Sequence, residues 1–464
     1  MTSSTIDPLF PQIPKILEPV YMREILQRSL FRNRRIHDKK IRIESCEIGE
    51  KRYKPGKSFS LSYNLRLRDM NSDAWYEQWL TAQLQPAGLG NSGFDKCIEK
   101  PTYSPVGIPS VSYISEVDML LWSFPHDRKL TQLNSLLDTD KLKPYIKTNL
   151  TGLKLNPSES VESIQAQVIH YLPEQSCMIR YALIIADNTV NDKKARREAI
   201  VYGKNYSDDS GLKTFSVMSQ LAEQTELCAT PLFYDDTINT LWQFHVPGQP
   251  FEWNLLTTSD TPSLLRKIAI CIAKFHRCEI NTSQQFGYAE MEQDLNKSIL
   301  LAAALDSALG LRVQEAVNQL LSKRDYYEWD DDNFHAPLHL DLKMGNLLIA
   351  DAVYLIDMDC VCQGNPLVDT GSFIANLYLN GLRAGAAIAE IDSIVAAFIN
   401  EYNAAMGGGL NINQLNWYIA AALIHEVLRR SLRQQSTERL KHIDAYLAIS
   451  NHYSILCQEG KSYA

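Results

Sequence analysis

Leu338-His339-Leu340-Asp341-Leu342-Lys343-Met344-Gly345-Asn346-Leu347-Leu348-Ile349, followed shortly by Leu355-Ile356-Asp357-Met358-Asp359, is the stretch whose reading decides the fold. Two apolar runs, Leu347 to Ile349 and Val353 to Ile356, flank a short polar turn and read as strand, loop, strand. Such a buried hairpin holds Asn346 at its entry and Asp357, eleven residues later, at its exit. Around it the texture is helical. Leu264, Ile268, Cys271, Ile272 and Phe275 mark one amphipathic helix, Leu301 to Leu321 a second, and a third with Leu415, Tyr418 and Ala422 on one face begins near Asn413. The segment from His335 to Cys362 is thus a strand-rich interruption of a helical domain.

Upstream of Gly248 the chain is strand-rich and repeats itself. Ile43 to Tyr53 runs through Lys54-Pro55-Gly56-Lys57 into the alternating Phe59-Ser60-Leu61-Ser62-Tyr63-Asn64-Leu65-Arg66-Leu67. At an offset of 118 residues, Ile164 to Tyr171 runs through Leu172-Pro173-Glu174-Gln175 into Cys177 to Ile185, with Tyr181 in the place of Tyr63. Both are hairpin signatures with period-two alternation on the return strand. Leu121-Trp122-Ser123-Phe124 and Leu241-Trp242-Gln243-Phe244 match at an offset of 120, so the unit reads as a duplication.

Bulk properties narrow the chemistry. The 464 residues are 45% hydrophobic and 22% charged, the balance of a globular protein with room for two or three domains. A net charge of -8, with no long basic run, argues against nucleic acid or an anionic membrane as partner. Any phosphate must then be held by local groups: a placed lysine, backbone amides or a metal on carboxylates. The nine scattered cysteines are an odd number without a C-x-x-C pair and read as reduced thiols; Cys360 and Cys362 lack the further ligands of a zinc site. Met1 to Tyr21 shows no targeting pattern and no apolar run reaches membrane-spanning length, so a cytoplasmic location is expected.

Phosphoryl transfer needs a positioned acceptor hydroxyl, a carboxylate to take or orient its proton, and divalent metal against the phosphate oxygens. The pattern His-x-Asp-x-x-x-x-Asn at 339 to 346 resembles the catalytic loop of the aminoglycoside phosphotransferase and choline kinase group. That resemblance implies Asp341 as catalytic base, His339 mainly as a brace of the loop, and Asn346 as a magnesium ligand. The family's Ile-Asp motif falls on Ile356-Asp357, making Asp357 the carboxylate between metal and nucleotide, with Asp359 either a second metal contact or a hairpin residue. Asp369, in Gly364-Asn365-Pro366-Leu367-Val368-Asp369, matches a later motif aspartate and is expected to tie the loop down.

The same resemblance asks for a lysine on the third strand of a small lobe and a helix glutamate to hold it. Ala199-Ile200-Val201-Tyr202-Gly203-Lys204 reads as that strand, with Glu223 in the helix expected over Phe215 to Glu226 as partner and Glu226 as the alternative. Trp242-Gln243-Phe244, running into Pro247-Gly248, resembles the hinge that takes the adenine edge, and Lys343 joins the nucleotide-binding set. The turn Leu172 to Ser176 lacks the glycine-rich loop of protein kinases.

The implied architecture is α+β: a protein-kinase-like two-lobed fold, a small antiparallel β lobe plus a larger helical lobe, preceded by a degenerate small-lobe-like cap. The expected domains are a cap over 1-152, a nucleotide-binding lobe over 153-248 with the hinge near 242-248, and a helical lobe over 249-464 carrying the loop 338-359. The cap has no lysine in Trp75 to Trp79 and no catalytic loop of its own, and it resembles the amino-terminal cap of maltokinase-like members. The expected function is ATP- and Mg2+-dependent phosphorylation of a small-molecule hydroxyl acceptor, a sugar, amino sugar or aminoglycoside-like compound, with Glu390, Asp392 and Glu426 as acids for a cationic one. Two alternatives stand beside it: a protein kinase, and a noncatalytic pseudokinase binding a protein partner through Trp75, Tyr76 or Trp79 of the cap.

Overall fold

The computed structural model describes residues 9–31, 40–54, 56–84, 106–187, 196–323, 336–434 and 437–459; Pro55 and His335 lie outside them. The chain is α+β, antiparallel sheets in its first half and helices in its second. It divides into two compact units, one of residues 1–208 with 237–240, the other of 209–236 with 241–464.

Unit 1 holds one copy of a repeated arrangement and the opening elements of a second. The first copy is α1 (Ile13–Ile16), α2 (Pro19–Phe31), β1 (Ile41–Lys54), β2 (Ser58–Asp69), β3 (Trp75–Leu84), β4 (Val111–Ile114) and β5 (Met119–Ser123). The second opens with α3 (Leu133–Leu137), α4 (Thr139–Asn149), β6 (Glu159–Leu172), β7 (Ser176–Asp187) and β8 (Arg196–Tyr206). Phe59, Leu61, Tyr63, Leu65 and Leu67 alternate into one core; Cys177, Ile179, Tyr181, Leu183 and Ile185 do the same, each 118 residues later. β1 and β6 pair with their neighbours antiparallel, and both ladders carry a bulge at the same place, between Ile43 and Ser45 and between Val161 and Ser163.

The repeat extends further than the strands. Tyr63 donates its hydroxyl proton to Ile16 O and Tyr181 to Leu136 O, both at 2.9 Å, so each core tyrosine ties its sheet to the short helix ahead of it. α3 and α4 are therefore the counterparts of α1 and α2, at an offset of 120, and the second copy begins near Leu130. Met22, Leu26 and Leu30 against Leu142, Ile146 and Leu150 keep the same buried stripe while sharing the residue type in the last pair alone. Residues 237–240 close unit 1, where Tyr206 N–H donates to Asn239 O (2.9 Å) and Asn205 Nδ2 to Ile238 O (2.7 Å).

The copies meet at Trp79, Phe124 and Tyr171, with ring centroids 4.9 to 6.3 Å apart. Trp79 is thus a packing residue, whereas Trp75 is 47% exposed under the Arg66 guanidinium at 4.4 Å. Beneath them the buried Asp127 carboxylate accepts from Tyr171 Oη (2.7 Å) and from the N–H groups of Lys129, Leu130 and Glu174 (2.8 to 2.9 Å). Asp127→Ala leaves these donors unsatisfied, and an expected loss of about 3 kcal/mol should appear as a lower urea midpoint. A loss below about 1 kcal/mol would mean that water replaces the carboxylate.

Unit 2 contains α5 (Ser210–Gln224), β9 (Pro231–Asp235), most of β10 (Thr240–Phe244), β11 (Gln249–Pro250), α6 (Thr261–Phe275), β12 (Gln285–Phe286), α7 (Tyr288–Leu305) and α8 (Ser307–Leu321). The single helix expected over Leu301 to Leu321 is broken because Asp306 caps α8, accepting from Ala308 N and Leu309 N at 2.8 and 3.0 Å. Then come β13 (Ala336–Leu338), β14 (Leu347–Ile349), β15 (Val353–Leu355), β16 (Cys362–Gly364), α9 (Leu367–Ala384), α10 (Ile388–Met406) and α11 (Ile412–Ala422). α11 passes through a π-helical turn, Leu423–Leu428, into α12 (Arg429–Gln434); α13 (Thr437–Leu440) and α14 (Ile443–Glu459) end the unit.

Two small sheets, β11-β14-β15 and β12-β16-β13, sit among these helices. Gly248 has φ +124°, and a Cβ there would lie 3.0 Å from Ile349 O, so only glycine lets β11 close on β14. No helix of the described residues is long and apolar enough to cross a membrane.

Candidate active site

The hairpin read from the sequence is present: β14 and β15 pair antiparallel through Leu347↔Leu355 and Ile349↔Val353. Asn346 enters it and Ile356 N–H donates back to Asn346 O at 3.0 Å, so Asp357 follows directly on a residue bonded to Asn346. Asp357 is exposed and left-handed, φ 67° and ψ 59°. That conformation is uncommon outside glycine and carries strain, which the surrounding hairpin sustains.

Asp341 is the point on which side chains converge. Asn346 Nδ2 donates to its main-chain O (2.9 Å) and to its Oδ2 (3.1 Å), while the Lys343 ammonium contacts the same Oδ2. Arg430 Nη1 stands 3.7 Å from the other carboxylate oxygen. Asp341 keeps 29% of its side-chain surface, so the carboxylate is oriented yet open to a ligand. With its Nδ2 engaged, Asn346 has Oδ1 as the atom able to ligate a cation.

The loop is held from below by one stripe of α9. Asp369, Ser372 and Asn376, at i, i+3 and i+7, share a helix face. The fully buried Asp369 accepts from His339 N (2.5 Å) and Leu340 N (2.9 Å), with His276 Nε2 at 3.3 Å. His276 in turn meets Tyr402 Oη at 2.8 Å. Asn376 Oδ1 accepts from Met344 N at 2.9 Å. Leu340 has φ 56°, a strained value that the paired N–H bonds to Asp369 hold in place. Asp369 therefore ties the loop down as its sequence position suggests. His339 is buried and its Nε2 lies 2.9 Å from Ile356 O, a bracing contact between the loop and the hairpin.

The π-turn brings up a group from further along the chain. Ser372 Oγ donates to Glu426 Oε1 at 2.5 Å, and His425 Nε2 lies 3.7 Å from the same oxygen. Burial, reinforced by the charges of Asp341 and Asp369 and opposed by Ser372 and Arg430, raises the Glu426 pKa to about 7. Burial, with Arg429 close by, pushes His425 down to about 3. Arg429 instead pairs through both terminal nitrogens with Asp294, at 3.2 and 3.3 Å.

The sign of the Glu426 effect follows from linkage. A carboxyl whose folded pKa is raised binds its proton more tightly in the native state, so its contribution is fully present below about pH 4.5 and is lost as pH rises through about 7. Urea midpoints of the wild type and Glu426→Gln, compared from pH 5 to 8, should converge or cross as pH rises, the variant lacking this falling component. Parallel curves would remove Glu426 from the titration.

The other sequence candidates fall elsewhere. Asp359 accepts weakly from Thr214 Oγ1 of α5 at 3.4 Å. Glu223 lies on α5, which spans Ser210–Gln224 rather than Phe215 to Glu226, and Glu226 lies beyond its end. The buried stripe of α5 is Thr214, Val217, Met218 and Leu221; Glu223 is turned about 180° from it and is exposed. Among the described residues it makes no hydrogen bond or ion pair.

Trp242 is fully buried, Gln243 and Phe244 are partly buried, and the Phe244 N–H donates to Thr230 O at 3.0 Å. In unit 1, Lys204 lies on β8 opposite Met178, partly buried, with its ammonium 5.5 Å from the Tyr206 ring. The first copy's register puts Gln83, opposite Ser60, in the matching place.

Sequence reading missed Ser372, Asn376, His276 and Arg430. They lie 30 to 90 residues from the loop, and only the helix-face spacing from Asp369 could have pointed to the first two.

Residues 201–406 match the family model described as "Phosphotransferase enzyme family". No curated protein matches the chain. Among solved structures, a choline kinase from Cryptosporidium parvum Iowa II is similar at 11% identity and a TM-score of 0.48, over 69% of this chain and 97% of that one. Choline kinase LicA from Streptococcus pneumoniae is similar at 12% and 0.43, over 67% and 99%. An ethanolamine kinase from Plasmodium vivax is similar at 14% and 0.42, over 70% and 95%.

Proposed function

Because residues 201–406 carry a domain of the phosphotransferase enzyme family, we propose that this protein transfers the terminal phosphoryl group of ATP to a hydroxyl of a small molecule, with Asp341 as the base. The observation that carries the reading is the Asp341 carboxylate, oriented by Asn346 and Lys343 yet partly open, on a loop anchored by Asp369. The acceptor O–H points its proton at Asp341; as the new O–P bond forms and the bond to the leaving ADP breaks, that proton passes to the carboxylate. Lys343 and Arg430 bring positive charge to where phosphate oxygens gather.

Among the described residues no three His, Cys, Asp or Glu side chains gather into a protein-only metal site. The donors at hand, Asn346 Oδ1 and the exposed Asp357, suit a hard cation such as Mg2+ that draws its remaining ligands from phosphate and water. Such an ion supplies charge neutralisation at the phosphate oxygens. Lys204 is our candidate for the phosphate-binding lysine, with the hinge at 242-248 for the base, residues 153-248 as the nucleotide-binding lobe, and the first copy as a cap.

The acceptor is a sugar, amino sugar or related hydroxylated compound rather than a protein. Only nine residues, containing a 3-10 turn and β16, separate Asp357 from α9, which leaves no space for the long segment that positions a peptide. Purified protein with ATP and Mg2+ should release ADP in response to one pool of sugars, amino sugars, aminoglycosides or choline, and EDTA should abolish the response. Magnesium-dependent ATP binding without any acceptor response would point to another acceptor class, and absence of ATP binding would overturn the proposal.

A further inference from the structure

Unit 1 carries a charged cavity that phosphoryl transfer does not use. β1 is an end strand in the order β1-β2-β3-β5-β4, and α2 runs along its free edge. Gln27 of α2 satisfies that edge, accepting from Ile43 N (2.6 Å) and donating to Ile41 O (3.1 Å). Beside this stitch helix and strand flank an open cavity of about 690 Å³ whose charged lining is Arg23, Arg28, Lys40 and Arg42 against Glu24 and Glu44. Arg28 pairs with Glu116 at 3.1 Å, and Arg42 approaches Glu44 only to 3.7 Å. Arg23 and Lys40 have no ion pair among the described residues.

The second copy serves as an internal control. Its edge-strand acids, Glu159 and Glu162, are neutralised by Arg197 and Arg196 of β8, with contacts from 2.6 to 3.2 Å. By register those arginines correspond to Tyr76 and Trp75 of the first copy, and Glu159 corresponds to Ile41. On the helices, Lys143 pairs with Asp140 at 3.3 Å, whereas their counterparts in α2 are Arg23 and the exposed Val20. At the matching places the first copy has neither those arginines nor the acids of Asp140 and Glu159, keeps an acid at Glu44, the counterpart of Glu162, and lines the cavity with four cations against two acids.

We propose that the cavity between α2 and β1 binds a small phosphorylated metabolite, its phosphate held by Arg23 and Lys40 with Arg28 and Arg42 at the rim. The volume lies in the range of small-molecule sites. Guanidinium groups match phosphate oxygens in pairs, and a concave wall suits a compact anion rather than an extended polyanion. The site is built from unit 1 residues alone, and the proposal does not depend on the function proposed for the Asp341 loop.

The test is calorimetric titration of the full-length protein with inorganic diphosphate in EDTA. Saturable binding is expected in the wild type, unchanged in Asp357→Asn, weakened about tenfold or more in Arg23→Gln/Lys40→Gln, and weaker as salt rises. Lys40→Gln alone alters an exposed side chain that the fold does not need, and should still weaken binding about threefold. Binding that is absent in the wild type, that survives both sets of Gln substitutions, or that disappears in Asp357→Asn would overturn the proposal.

Discussion

Asp341→Asn is expected to lower acceptor-dependent ADP release by about a thousandfold while leaving the urea midpoint within about 0.5 kcal/mol of wild type. The amide keeps the shape of the carboxylate and can still accept from Asn346 Nδ2, so the loop has no reason to move. It cannot take a proton from the acceptor, and it no longer offers a charge to Lys343. Nucleotide binding should change little, which separates loss of the base from loss of the site. Acceptor-saturated initial rates beside ATP titrations provide the check. A loss below tenfold would mean that Asp341 orients the acceptor without accepting its proton, and an equal loss of ATP affinity would make its role electrostatic.

The second large effect is expected at Asp369, which touches neither the acceptor nor the nucleotide in our scheme. Its carboxylate is fully buried and accepts two consecutive main-chain N–H groups, which is what holds Leu340 in a left-handed conformation. Asp369→Ala leaves both donors and His276 without their acceptor inside the protein. A loss of about 3 to 5 kcal/mol is expected in urea unfolding of unit 2. Amide exchange at His339 and Leu340 should accelerate even where the rest of unit 2 stays protected. Activity should fall with the loop, and Asp369→Asn, which retains one acceptor oxygen, should recover part of both. A wild-type midpoint in the alanine variant would show that water fills the site and that the loop is held from elsewhere.

What the sequence disclosed follows the range of the interactions. The alternating strands from Phe59 to Leu67 and from Cys177 to Ile185 were legible because a half-buried strand announces itself within a few residues. The loop and hairpin were legible for the same reason, and Asp369 through its local motif. The counterparts α1-α2 and α3-α4 were not, because a helix needs only the spacing of its buried side chains, and Met22 and Leu142 serve equally well. The helix expected over Phe215 to Glu226 runs instead over Ser210–Gln224, because apolar spacing marks the buried face of a helix and not its ends. Arg430 had no local signal at all, and Glu426 was legible just as one of several helix acids. Their orientation is decided by a backbone irregularity that side-chain patterns do not encode.

That irregularity, the π-turn at Leu423–Leu428, acts as a fixed angular offset in an otherwise continuous rod. One residue beyond the α-helical repeat advances everything after it by about 100°. Without the offset, the face of α12 that carries Arg429 to Asp294 and Arg430 to Asp341 would look elsewhere, although every residue of the helix were still present. Shortening this turn by one residue would therefore redirect two cations at once, a change that no single side-chain substitution reproduces. Homologous chains that differ by one residue here would share a scaffold and present a different charge pattern to whatever approaches Asp341.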